Sequence, residues 1–185
     1  MKWLLYNLGF ALVFPALLPG FLVRMLRRGG YRARMGDRFA LYPRDVLCAL
    51  CLVPRASYET AEDTTKHETQ GTRHKAQGTR PVWIHAVSVG EVQVALQLMR
   101  EWRRAEPDVW FCFSTTSSTG WRIAEKGVGQ QDVLIYNPLD FPHFVKSAPR
   151  TVQPRAIVLT ESANWPVFIR RAKKMGIPPF LINVR

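Results

Sequence analysis

The sequence predicts an α/β fold built on a parallel sheet of about five strands with flanking helices. Two observations carry that expectation. From Val82 onward, short apolar runs alternate with stretches of helical pattern, and strict β/α alternation implies parallel strands joined by right-handed crossovers. In the first of these units, Trp83-Ile84-His85-Ala86-Val87 runs into Ser88-Val89-Gly90-Glu91. This apolar strand breaks at small residues and delivers a carboxylate onto the first turn of a helix. The resulting Rossmann-like layer contains neither G-x-G-x-x-G nor G-x-x-x-x-G-K-[ST], so nothing marks it for a dinucleotide or a nucleoside triphosphate.

Taken in chain order, the first element is an amino-terminal membrane-anchor helix. Trp3 to Val23 carries no charge and is mostly Leu, Phe, Val and Ala, about the length that crosses a hydrocarbon core at 1.5 Å per residue. Pro15, Pro19 and Gly20 leave open a kinked helix lying in the interface. The run leads directly into Arg24, Arg27, Arg28, Arg32 and Arg34 instead of a small-residue cleavage site, so a cleaved signal peptide is not expected. The arginines place that flank, and everything after residue 24, on the cytoplasmic side and attract anionic lipids.

Residues 31–54 read as a juxtamembrane segment in which Arg and aromatic side chains alternate with Gly. Residues 55–80 turn polar and contain a near-tandem repeat, His67-Glu68-Thr69-Gln70-Gly71-Thr72-Arg73 followed by His74-Lys75-Ala76-Gln77-Gly78-Thr79-Arg80. Its heptads lack apolar a and d positions, so a flexible low-complexity insertion is expected.

The domain proper is expected at 81–185. Its strands are read at Val82–Val87, Val109–Ser114, Val133–Tyr136, Ala156–Leu159 and Phe180–Asn183. Helices are read at Glu91–Ala105, Gly120–Lys126, Pro142–Ser147 and Pro166–Met175, with Pro142 and Pro166 in the tolerated first turn. All loops that follow parallel strands open on one sheet edge, where such folds hold ligands. That edge collects Ser88, Gly90 and Glu91 from the first loop and Thr116, Ser117, Thr119 and Gly120 from the second. The third gives Asp140, and the fourth gives Thr160 and Glu161. Hydroxyls, carboxylates and helix amino termini suit a polyhydroxylated or phosphorylated ligand. Local capping is the competing reading: Ser88 and Glu91 fit a capping box in which Glu91 reaches back to the N-cap amide, and Thr119, Asp140 and Asn164 precede helix starts.

Composition narrows the partners. A net charge of +12, from 26 Lys+Arg against 14 Asp+Glu, with 47% hydrophobic residues, describes a core-forming chain with anionic partners. Nucleic acid is not expected among them, because the basic residues cluster beside the anchor and no nucleic-acid motif occurs. Cys48, Cys51 and Cys112 form no disulfide framework, and the single C-x-x-C pair has no second ligand pair, so no metal is expected.

These residues together resemble the amino-terminal half of bacterial 3-deoxy-D-manno-octulosonic acid (Kdo) transferases, membrane-bound glycosyltransferases of the GT-B class. The resemblance rests on the anchor, Tyr31–Phe39, His85-Ala86-Val87-Ser88-Val89-Gly90-Glu91, the Thr115–Gly120 loop and Pro138-Leu139-Asp140. It extends to Trp165-Pro166 and Asn183-Val184-Arg185. It implies metal-independent, inverting transfer of Kdo from CMP-Kdo to a lipid A precursor at the cytoplasmic face of the bacterial inner membrane. Glu91 takes the place of the family's general base, and Arg185 joins the substrate-binding residues. In this family the amino-terminal domain holds the acceptor and a carboxyl-terminal domain holds the nucleotide sugar, so a donor domain is expected to be missing from these 185 residues. At Ala163 the family usually has an acidic residue. The alternative from another class is a non-catalytic or degenerate membrane-anchored module that binds acidic lipid or a partner protein.

Overall fold

Five parallel strands form one sheet, with the first strand in sequence at its centre. The computed structural model describes residues 9, 13, 19, 20, 23, 32–50, 80–161 and 165–184. The expected anchor and the 55–80 insertion therefore lie almost wholly outside the described residues, as do Ser162–Asn164 and Arg185. Gly9, Val13, Pro19, Gly20 and Val23 are helical, and among the described residues no helix is long and apolar enough to cross a membrane. The chain divides into two compact units, Met1–Met35 and Gly36–Arg185; the account below concerns the second.

Its strands are β1 Val82–Ala86, β2 Phe111–Thr115, β3 Val133–Tyr136, β4 Ala156–Thr160 and β5 Pro179–Ile182. The helices between them are α2 Val89–Ala105, α3 Ser118–Gly127, α4 Pro142–Val152 and α5 Pro166–Lys174, with a short α1, Arg44–Ala49, ahead of β1. Each expected element is present, with ends displaced by a few residues. The largest displacement is at α4, which runs past Ser147 and through Pro149. Val145, Ala148, Pro149 and Val152 are all buried at helical spacing. Packing of that stripe outweighs the backbone bond that Pro149 cannot donate.

β1 lies between β2 and β4, with Ile84 opposite Phe113 on one side and Val158 on the other. Successive side chains of a strand point to opposite faces, and each face of this sheet has its own core. Val82, Ile84, Phe111, Phe113 and Val158 pack with Val92, Leu96 and Met99 of α2 and Ala124 of α3. Trp83, Cys112, Ile135 and Leu159 pack with Val145 of α4 and Phe168 of α5. Trp83 meets Phe168 edge to face at 5.0 Å. Burial pushes the Cys112 thiol well above its ordinary pKa, so it serves as a small apolar side chain.

The segment after Gly36 differs from the expected juxtamembrane boundary at residue 54. Tyr42, Val46 and Leu50 are buried in the same core as Trp83 and Ile135, so the α/β unit begins at Gly36. The reason is that Val46 within α1 and Tyr42 and Leu50 just before and after it are apolar and pack on one side against the sheet.

At the opposite end of the sheet, the Asp132 carboxylate accepts bonds from the N–H of Phe111 (3.0 Å) and Gly129 (2.8 Å) and from the Arg103 guanidinium (2.8 Å). Its side chain is fully buried and that of Arg103 is 26% exposed. Burial raises the Asp132 pKa against the opposing pull of Arg103. Replacing Asp132 with Ala strands three donors and is expected to cost about 2–3 kcal/mol of unfolding free energy, measured by urea denaturation.

Candidate functional site

The chain steps outward from β1 through β2 to β3 and then returns to pair β4 on the other side of β1. Open α/β sheets bind ligands where the order reverses, at the carboxyl ends of the strands. The Ser88–Glu91 turn lies there. Ser88 caps α2, its hydroxyl accepting the Glu91 N–H at 3.2 Å. Glu91 Oε2 reaches back to the Val87 N–H at 2.9 Å, one residue earlier than the expected capping box. Val87 follows the last paired residue of β1, so its amide has no strand partner and takes the carboxylate.

The Thr160 hydroxyl, at the end of β4, lies 3.0 Å from the same Oε2. Glu91 is 8% exposed, and both of its side-chain bonds fall on Oε2. Among the described residues Oε1 has no hydrogen-bond partner. One oxygen is thus anchored, and the other is available to a ligand.

The second loop is stitched to the first. Ser117 Oγ accepts the Gly120 N–H at 3.0 Å, capping α3, and donates to the Val87 carbonyl at 3.1 Å. Helix α3 therefore starts before the expected Gly120, with Ser117 and not Thr119 as its cap; Thr119 is exposed. The Thr116 carbonyl accepts a bond from the Arg38 guanidinium, which also lies over the Tyr136 ring at 4.7 Å. Asp37 accepts the Tyr136 N–H at 3.1 Å. The Asp37–Arg38 pair, from the segment expected to be juxtamembrane, thereby fixes the ends of β2 and β3.

Asp140 is buried and accepts the N–H groups of Val167 (3.3 Å) and Phe168 (2.9 Å). It caps α5, across the fold, and not α4, which it precedes in sequence. The N-cap position of α5 is Trp165, which makes no side-chain cap bond, so the neighbouring loop supplies the acceptor. Glu161 turns outward and accepts from Asn183 Nδ2 at 2.9 Å. The structure thus brings Ser88, Glu91 and Ser117 together, with Gly90 exposed beside them and Thr116 half-buried. Asp140 and Glu161 bond elsewhere on the same edge, Gly120 is buried in the first turn of α3, and Arg185 lies outside the described residues.

Sequence reasoning placed Thr160 in the fourth loop and Asp37, Arg38 and His85 within the motifs of the resemblance, but gave none of the four a role at the site. His85 is fully buried on β1, with Nδ1 3.1 Å from the Ser114 carbonyl and 3.0 Å from its hydroxyl. A carbonyl only accepts, so the contact assigns the proton to Nδ1. Nε2 is then a buried acceptor without a partner, and the ring meets Trp165 edge to face at 5.3 Å. Burial lowers the His85 pKa to about 4, against raising contributions from the Ser114 carbonyl and the Glu91 charge. Ser114 Oγ also accepts from Trp83 Nε1 at 2.8 Å and lies 3.2 Å from Asn137 Oδ1.

A parallel five-strand α/β layer whose order reverses at β1 has the Rossmann-like architecture, and it presents a half-anchored carboxylate and two cap hydroxyls at its reversal point. Residues 55–185 match the family model described as 3-deoxy-D-manno-octulosonic-acid transferase (Kdo transferase), and the chain belongs to this glycosyltransferase family. Three curated relatives bear the name 3-deoxy-D-manno-octulosonic acid transferase. The protein of Chlamydia muridarum is 32% identical over 103 residues, 55% of this chain and 24% of the relative. That of Haemophilus influenzae is 32% identical over 104 residues, 56% of this chain and 24% of the relative. That of Bordetella pertussis is 29% identical over 118 residues, 62% of this chain and 28% of the relative. The matched stretch is thus about a quarter of the length of the relatives.

The two glycines of the site are expected to respond oppositely to a methyl group. A Cβ at Gly90 would meet nothing within 4 Å, whereas one at Gly120 would lie 2.6 Å from Thr115 Oγ1 and 2.8 Å from Ser117 Oγ. In thermal melts, Gly90→Ala should be neutral or stabilising by about 0.5–1 kcal/mol, and Gly120→Ala should destabilise by about 1–3 kcal/mol.

His85 also makes stability depend on pH. Its pKa falls from an ordinary 6.5 to about 4 on folding, so the unfolded chain binds the proton first as pH drops through that window. The stability held above pH 6.5 is therefore lost toward pH 4. Denaturation at pH 7.5 and pH 5 should differ by about 2 kcal/mol from this residue, and His85→Asn should flatten that difference.

Proposed function

We propose that this chain carries the acceptor side of a Kdo transfer from CMP-Kdo to a glucosamine hydroxyl of a lipid A precursor, with Glu91 as general base. The observation that supports this reading most directly is Glu91 itself, held by Oε2 at the reversal point with Oε1 uncommitted. The acceptor O–H bond breaks as its proton passes to the carboxylate. The acceptor oxygen forms the new bond to the anomeric carbon, and CMP departs with the electron pair of the bond it leaves. Metal ions take no part in this scheme.

Ser88, Gly90, Thr116, Ser117 and Thr119 form the surface offered to the acceptor, with Glu161 after β4 on the same edge; Arg185 is a further proposed substrate-binding residue by its place in the sequence. Gly120 and Asp140 act through the loops they hold. The nucleotide sugar is bound by a donor domain in the rest of the family architecture. The apolar amino-terminal segment keeps the domain at the cytoplasmic face of the inner membrane, and its arginine flank meets anionic lipid and the phosphates of the acceptor.

The test is transfer of Kdo by the full chain joined to the donor half of a relative. Glu91→Gln is expected to lower kcat by about a hundredfold or more while leaving the unfolding temperature unchanged. Wild-type transfer in that variant would remove the base assignment.

A further inference from the structure

Thr160 ends β4, pairs across the ladder with Ile182 and is wholly buried. A valine of the same shape would satisfy those strand contacts equally well. What the hydroxyl adds is a position 3.0 Å from Glu91 Oε2 and 3.0 Å from the His85 carbonyl oxygen. With the Val87 N–H at 2.9 Å on the same Oε2, two donors converge on one carboxylate oxygen. The other oxygen has none among the described residues.

We propose that Thr160 is a positioning residue that fixes Glu91 through Oε2 and thereby makes Oε1 the atom that takes the acceptor's proton. This rests on the reading of Glu91 as the base. A hydroxyl has one proton to give. While Glu91 is charged, that proton goes to Oε2, the stronger acceptor of the two within reach. When Oε1 has received the acceptor's proton and the carboxyl group is neutral, the hydroxyl is free to turn to the His85 carbonyl. Thr160 keeps its own proton throughout, so the only proton moved is the acceptor's, from its oxygen to Oε1. The two donors engage Oε2 and block rotation of the carboxylate, so Oε1 meets each incoming hydroxyl in one orientation.

Two readouts test this on the full chain. In amide hydrogen exchange, the Val87 N–H is expected to exchange about tenfold faster in Thr160→Val, because Glu91 leaves its anchored rotamer, and to stay at the wild-type rate in Thr160→Ser. In the fused enzyme, Thr160→Val should lower kcat about tenfold with KM within about twofold, and Thr160→Ser should restore it. Should Thr160→Val fail to unfold cooperatively, Thr160→Ala is read in its place. Unchanged Val87 exchange and unchanged kcat in the variant lacking the hydroxyl would overturn the positioning role, even where Glu91→Gln abolishes transfer. Wild-type transfer by Glu91→Gln would instead overturn the base reading, and the catalytic half of this proposal with it, while faster Val87 exchange would still report the anchor.

Discussion

Everything at the candidate site is placed by the burial of β1. Its five residues are shut off from solvent on both faces, and it is paired to β2 and β4 on its two sides. A strand so enclosed has no freedom of register: a slip of one residue would exchange the side chains facing α2 with those facing α5. The strand must therefore end where it does, and the Val87–Ser88 turn inherits its position from the core. Helix α2 starts there, and Glu91, three residues after its cap, faces the ends of β1 and β4.

The surrounding loops are fixed by bonds that cross between them. Ser117 bonds the Val87 carbonyl, Arg38 bonds the Thr116 carbonyl, Asp37 bonds the Tyr136 amide and Asp140 bonds two amides of α5. Each is worth about 1 kcal/mol net, and about 1.5–3 kcal/mol where one partner is charged. Their larger effect is geometric, because a loop tied at one point loses the conformations that would carry its polar groups away from the edge. The edge that receives ligands in this fold class is thus preorganised from four sides.

These crossing bonds also mark where the sequence stops being informative. Strand and helix positions were legible because buried parallel strands are uninterrupted apolar runs and their helices repeat at 3.6 residues. Ser88 capping α2 was legible because the contact is local. Asp140 was not: a capping rule reads forward to the next helix, yet its partners Val167 and Phe168 belong to the helix after it. Thr160 was legible as a polar residue of the fourth loop, but its bond to Glu91 was not, because a β-branched residue at a strand end needs no explanation beyond the strand. Asp37 and Arg38 stood within the Tyr31–Phe39 stretch of the resemblance, but their bonds to the ends of β2 and β3 were not legible, since a basic, aromatic stretch after an apolar segment has the composition of a juxtamembrane segment. Tyr42, Val46 and Leu50 carried a countersignal, apolar residues amid a basic stretch, and all three are buried in the core.

In the sequence the capping and catalytic readings of Glu91 claim one carboxylate, which can serve one role without ligand and the other when an acceptor arrives. In three dimensions they claim different oxygens. Capping requires an acceptor close to the backbone, and Oε2 fills that role for Val87. Proton transfer requires an oxygen with an uncommitted lone pair facing the ligand edge, and Oε1 is the candidate. A carboxylate held by neither oxygen would sample several rotamers and meet the acceptor in few of them. One held by both would have no basic atom to offer. An asymmetric hold avoids both failures, so the bonds that cap α2 are also those that orient the proposed base.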